Sequence, residues 1–216
     1  ITYRALSQSA AQLGYDTNGF TVTHAAASKD DGTILFPNSV KAGKETKSIA
    51  HCSNPSEKCV RVPMYSLDTY VSKFITKGMP INYLSVDVEG FDQDVLLGAK
   101  SMLKRVEYLE FEYNWMGSWQ NQTLSHLIDL LDSEFGFTCY WPGVKKSTWR
   151  ITGCFLDHYN IHFWSNVACV NRNMAGAKDI AEKMEALFHE TLKRGDDFVM
   201  NFEIRKKMRL WKMGKE

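Results

Sequence analysis

The sequence has no apolar run of the roughly 18 residues that a membrane-spanning helix requires, so no segment of it reads as a transmembrane anchor. It also lacks a charge bias: 26 Lys and Arg against 25 Asp and Glu leave a formal net charge of +1. Affinity for nucleic acid is built mainly on neutralising phosphates, so that balance gives no basis for a nucleic-acid partner. None of the five cysteines is spaced as C-x2-C, which excludes the usual zinc-finger and zinc-ribbon patterns, and no resident metal is expected. Internal repeats and low-complexity tracts are missing, and so is an initiating methionine, since the first residue is Ile1. A processed chain or a fragment of a longer protein is the expectation.

What is present is the composition of an ordered globular protein, 44% hydrophobic and 24% charged over 216 residues. That length allows one ordinary domain with some extra chain. Cys52 and Cys59 flank a polar, turn-rich loop and can close a small disulfide ring. Cys139 and Cys154 sit in two apparent strands that can be neighbours, and Asn121-Gln122-Thr123 is a glycosylation sequon. Together these favour the secretory pathway or Golgi lumen over the cytoplasm. The chain closes on Arg205-Lys206-Lys207-Met208-Arg209-Leu210-Trp211-Lys212, which reads first as the solvated end of a terminal helix. Membrane contact is expected only through that basic tail or through an anchor upstream of Ile1.

Periodicity predicts a helix over Tyr3–Leu13, then strands at Phe20–Ala27 and Thr33–Phe36, joined as a hairpin by Asp30-Asp31-Gly32. A long polar loop follows over residues 37–58. Val60–Met64 resumes extended structure, with Ser66 or Asp68 capping a helix over Thr69–Thr76. Next come a strand at Ile81–Val88, one helix over Phe91–Leu103, a strand at Val106–Tyr113 and a helix over Leu124–Ser133. Strands at Phe137–Trp141, Arg150–Leu156 and Asn166–Val170 precede a final helix over Ala177–Leu192. Alternating helices and strands imply an α/β protein with a mostly parallel sheet, and the closing strands imply an antiparallel C-terminal edge. Two segments are expected: a domain over residues 1–172 and a helical, basic extension over 173–216.

Leu84, Val86 and Val88 alternate with Ser85, Asp87 and Glu89, so a continuous strand places both carboxylates on one side near its carboxyl end, where α/β sheets bind ligands. Gly90 permits a tight exit into the helix. Asp92 and Asp94 are explained by the positive end of that helix's dipole, as Glu89 also can be. Asp87, read as lying inside the strand, is not, because charge is expensive to bury without a partner. His158 and His162 have i, i+4 spacing but lie in a segment that alternates like a strand or loop, which speaks against metal binding. Most of Trp115, Trp119, Trp141, Trp149 and Trp164 read as core aromatics, while Tyr113–Trp119 can form a stacking wall for an acceptor.

Asp87-Val88-Glu89-Gly90, followed by Asp92 and by Val95-Leu96-Leu97-Gly98-Ala99, resembles the signature of the FkbM family of methyltransferases. Ala25–Gly32, Ser66-Leu67-Asp68 and Phe111-Glu112 resemble further family segments in the same order, and the likeness covers about Ile1 to Val170. The resemblance implies a Rossmann-like three-layer sandwich that transfers a methyl group from S-adenosylmethionine to a hydroxyl on a sugar, glycan or small-molecule acceptor. It implies catalytic roles for Asp87 and Glu89, and cofactor contacts at Ala27, Ser28, Asp87 and Gly90. It also implies that the first strands and the glycine-rich cofactor loop precede Ile1. The rival readings are a metal-dependent glycosyltransferase using Asp87 and Glu89, and a non-catalytic glycan-binding module.

Overall fold

The computed structural model describes residues 2–37, 59–75, 78–143, 146–162 and 164–195. Pro37 of the loop expected over 37–58 is the last residue of a strand, and the rest of that loop, Cys52 and the basic tail lie outside the described residues. The helices are α1 (Thr2–Gln12), α2 (Leu67–Phe74), α3 (Asp92–Leu97), α4 (Lys100–Leu103), α5 (Leu124–Phe135) and α6 (Lys178–Arg194). The strands are β1 (Ala26–Ala27), β2 (Gly32–Pro37), β3 (Cys59–Tyr65), β4 (Ile81–Val86), β5 (Val106–Tyr113), β6 (Phe137–Pro142), β7 (Thr148–Arg150) and β8 (Ser165–Asn171). Two compact units result. The first takes residues 1–79, 87–105 and 116–120, and the second takes 80–86, 106–115 and 121–216.

In the first unit three strands lie in the order β1-β3-β2. The predicted hairpin does not form. β2 pairs antiparallel with β3 from Gly32 against Met64 to Pro37 against Cys59, and β1 runs parallel to β3 on its other side. A strand from Phe20 is reduced to Ala26–Ala27 because only those two residues reach Met64 and Tyr65. Cys59 is disulfide-bonded, and the ring expected with Cys52 lies partly outside the described residues.

The helix predicted over Phe91–Leu103 is broken into α3 and α4 at Gly98-Ala99. The break has a packing cause. A side chain at Gly98 would sit 2.4 Å from the Ser28 carbonyl oxygen, so only glycine lets these two backbones touch. Asp68 holds the break: its carboxylate accepts the N–H groups of Ser101 and Met102, both at 2.8 Å, and its own N–H donates to the Gly98 carbonyl at 3.0 Å. Of the two capping residues expected for α2, Ser66 does that work through Thr69 N–H, while Asp68 caps α4 across sequence.

In the second unit five strands lie in the order β4-β5-β8-β6-β7. β4 and β5 are parallel, while β8 runs antiparallel to both β5 and β6, and β7 antiparallel to β6. This is a mixed sheet rather than the mostly parallel one expected. The antiparallel edge expected from the closing strands is present as β8, β6 and β7, with β7 outermost rather than β8, the last of the described strands. Val167, Ala168, Cys169, Val170 and Asn171 are consecutively buried. A strand paired on both sides and covered on both faces shows no alternation to read. The strand expected over Arg150–Leu156 ends at Arg150, where the chain turns away.

Cys139 bonds to Cys169, its direct partner across β6 and β8 with Cα atoms 4.0 Å apart, rather than pairing with Cys154, which is free and exposed. Cys139 turns its backbone N–H to Thr152 Oγ1 and its carbonyl to the Ile151 N–H, so it faces Cys169 in the closely approaching kind of pair that lacks its own ladder bonds. α6 packs on β7 and β8. It is pinned by Glu185, which accepts from Tyr140 Oη at 2.9 Å and Arg150 Nη1 at 2.7 Å, and by Thr191 Oγ1, which accepts the Thr148 N–H at 2.9 Å.

Asp68→Ala removes two caps from α4 and is expected to cost about 1–2 kcal/mol. The effect is read as a lower urea midpoint with an unchanged slope, and Asp68→Asn should recover part of it.

Candidate active site

The five residues singled out by sequence, Ala27, Ser28, Asp87, Glu89 and Gly90, all fall in the first unit. Ala27 closes β1, and Ser28 extends its pairing by one further bond from its N–H to the Tyr65 carbonyl at 3.0 Å. Both are half-buried. Asp31 accepts the Ser66 N–H at 2.8 Å, a bond that holds its carboxyl below the usual carboxylate range and ties the segment after β1 to the end of β3.

β4 stops at Val86, so Asp87 follows the strand rather than lying inside it. It is exposed, and no hydrogen bond or ion pair involves it among the described residues. The argument from cost of burial therefore does not apply to Asp87. Strand parity fails for Glu89 as well, because its φ of 56° puts it in the left-handed region. A non-glycine residue there carries about 1 kcal/mol of backbone strain. Gly90 continues the reversal at φ 96°.

Gly90 is needed for a second reason. A Cβ on it would lie 2.5 Å from the backbone C and O of Met116, and one on Gly117 would lie 2.6 Å from the Gly90 oxygen. The Gly90 carbonyl then accepts from Trp119 N–H at 3.3 Å and Ser118 Oγ at 3.2 Å. The turn is thus clamped against Met116–Trp119, whose Trp119 ring is fully buried.

The buried carboxylate at this turn is that of Asp92, which is fully buried and accepts the Gly90 N–H through Oδ2 at 3.3 Å. Dipole complementation by a solvated side chain does not describe it. Next to it Gln93 is 4% exposed, and its Oε1 is buried without a hydrogen-bond partner among the described residues. Sequence reasoning passed over Gln93 because nothing in its spacing marks it. Asp92 carried a signal in the family signature.

In the second unit, Val86 pairs with Phe111, so β4 ends two residues before the carboxyl end of β5. Beyond Phe111, Glu112 is 6% exposed and accepts from Asn114 Nδ2 at 2.6 Å and from Trp164 Nε1. The stacking wall expected over Tyr113–Trp119 is not a surface, because Tyr113, Met116 and Trp119 are core residues. Tyr113 donates to the Asn160 carbonyl at 2.9 Å, and burial raises its phenol pKa strongly. His158 and His162 do not converge. His158 meets the Tyr159 ring at a tilt, with its pKa lowered by burial, while His162 Nε2 lies 3.2 Å from the Gln122 carbonyl and its ring packs on Tyr113. Among the described residues no three His, Cys, Asp or Glu side chains form a metal-binding group.

The family model of the methyltransferase FkbM domain matches residues 2–139, well over half of the chain, and the protein belongs to the FkbM methyltransferase family. No curated protein and no solved structure matches the chain.

Gly90→Ala drives a Cβ into the Met116 backbone at an unfavourable φ, and is expected to lose about 2–3 kcal/mol. Glu89→Gly relieves left-handed strain and should gain up to about 1 kcal/mol. Both are read from denaturant midpoints.

Proposed function

We propose that the protein transfers a methyl group from S-adenosylmethionine to a hydroxyl on a sugar, glycan or small hydroxylated acceptor. The observation that carries this reading is that Asp87–Gly90 and Asp92, the residues of the family signature, form a built turn with a strained Glu89 and a clamped Gly90. Strain retained by a surrounding framework concentrates at working sites.

The residues present fit the donor. S-adenosylmethionine carries a cationic sulfonium and an ammonium group, and Asp87 offers an exposed carboxylate for such a charge. Its adenine carries N–H donors, and Gln93 Oε1 is a buried acceptor lacking one. Ala27 and Ser28 are small and half-buried at a strand end, which suits contact with a flat base. When bound, the cofactor supplies an electrophilic methyl group on a positively charged sulfur. Asp87 orients the acceptor hydroxyl or takes its proton, and Glu89 supports the turn beside it.

The secretory or Golgi lumen is the compartment this reading favours. Cys139 and Cys169 are bonded and wholly buried, Cys59 is also disulfide-bonded, and Asn121 of the sequon is exposed. Expressed through a secretory host, the protein should lose mass on endoglycosidase treatment, and Asn121→Gln should abolish that change. An unchanged wild-type mass with reduced cysteines would count against the lumen.

The activity is tested by incubating the full-length protein with methyl-labelled S-adenosylmethionine and hydroxylated glycans. Label is expected in the acceptor, with Asp87→Asn lowering kcat/KM by about 10²–10⁴-fold. Absence of transfer to every acceptor, or an Asp87→Asn variant as active as wild type, would overturn the assignment. Manganese-dependent gain of a whole sugar would replace it with glycosyl transfer, and acceptor binding without donor binding would replace it with a glycan-binding module.

A further inference from the structure

Trp164 combines two properties that rarely occur together: it is 46% exposed, and it is held in place by a buried carboxyl group. Its Nε1 donates to Oε1 of Glu112. Its ring meets that of Trp115 edge to face, with centroids 5.7 Å apart and planes at 87°. Glu112 is in turn oriented by Asn114, itself fully buried. The hydrogen bond and the edge-to-face contact together leave the indole aimed rather than free to rotate.

Ordinary packing does not call for this arrangement. An apolar side chain at residue 112 would fill the same space without the several kcal/mol that burial of a carboxylate costs. An exposed tryptophan with no task loses little by turning. Here a carboxyl group is buried on β5, and the aromatic it steers stands at the start of β8, where Ser165 pairs with Tyr113. The steered ring therefore lies beside the carboxyl end of β5, the edge at which α/β sheets take their ligands.

We propose that Trp164 is a stacking platform for a neutral sugar ring of the acceptor, and that Glu112 is the positioning residue that aims it. A flat indole held by its N–H presents an apolar face, which suits the C–H face of a pyranose and offers nothing to a phosphate or carboxylate. A preoriented ring also spares the ordering cost that a mobile side chain pays on binding. This deepens the methyl-transfer reading, because it names the ring chemistry of the acceptor. Sugar binding itself needs no donor and is measured separately.

The full chain is titrated with methyl β-glucoside, methyl β-galactoside and their disaccharides in the absence of S-adenosylmethionine. Binding is followed by tryptophan fluorescence and by saturation transfer to the sugar C–H protons. Trp164→Ala is expected to weaken binding by about tenfold. Trp164→Phe, which keeps an aromatic face but loses the N–H bond, should fall between it and wild type. Glu112→Gln should weaken binding several-fold and move the Trp164 indole N–H resonance upfield, a change that a purely structural role elsewhere in the sheet would not produce.

Wild-type protein that binds none of these glycosides, or a folded Trp164→Ala variant that binds them as wild type does, would overturn the proposal. So would an indole resonance unmoved by Glu112→Gln. If glycosides bind at Trp164 but no methyl is ever transferred, the platform stands and the methyltransferase activity fails. If methyl reaches only acceptors without a sugar ring, the activity stands and the platform fails.

Discussion

The second unit depends on one arrangement: β8 enters between β5 and β6 and runs against both. Six residue pairs tie it to β5 and four tie it to β6, so the last of the described strands completes the interior of the sheet. Without it β5 and β6 would each expose an unpaired edge with apolar faces. The insertion also brings Cys169 opposite Cys139 and sets Trp164 beside Glu112. A cross-link and a candidate binding feature thus follow from one topological choice.

The first unit depends on close backbone approach. Gly98 touches Ser28, and Gly90 touches Met116, in both cases at distances that leave no room for a side chain. α3 links the two contacts, spanning six residues from the Gly90 turn to the Gly98 break. Asp68 closes one end by capping α4, and Asp92 closes the other by holding Gly90. The family signature is therefore largely a description of how a short helix is clamped at both ends. Asp87 is the exception, since it holds nothing among the described residues and is left exposed. A residue unneeded by the framework is the better candidate for chemistry.

Much of the local structure was legible. Val106–Tyr113 is a strand over the predicted bounds, and α1, α5 and α6 fall within two residues of expectation at each end. These segments have strong periodicity, and their termini carry readable stop signals such as Gly136 and Gly195 in left-handed geometry. Of the site, the family and the turn at Asp87–Gly90 were legible, while the reasons first given for the two carboxylates were not right. The parity of Asp87 and Glu89 assumed a strand through Val88, and only the φ angles show that the chain has already reversed. Of the stacking wall expected at Tyr113–Trp119, Tyr113 and Trp119 are core and Trp115 is half-buried, because aromatic content is silent on which side faces solvent.

The amino-acid sequence by itself determined most element types, the family and the position of the signature turn, because these depend on periodicity, on glycine placement and on residues adjacent in the chain. Tertiary structure alone decided the strand order, the pairing of Cys139 with Cys169 rather than Cys154, the capping of α4 by Asp68, and the meeting of Glu112 with Trp164 across 52 residues. Each of those joins groups far apart in the chain. Local propensity carries no information about such partners, which meet only when strands pair and backbones close on one another.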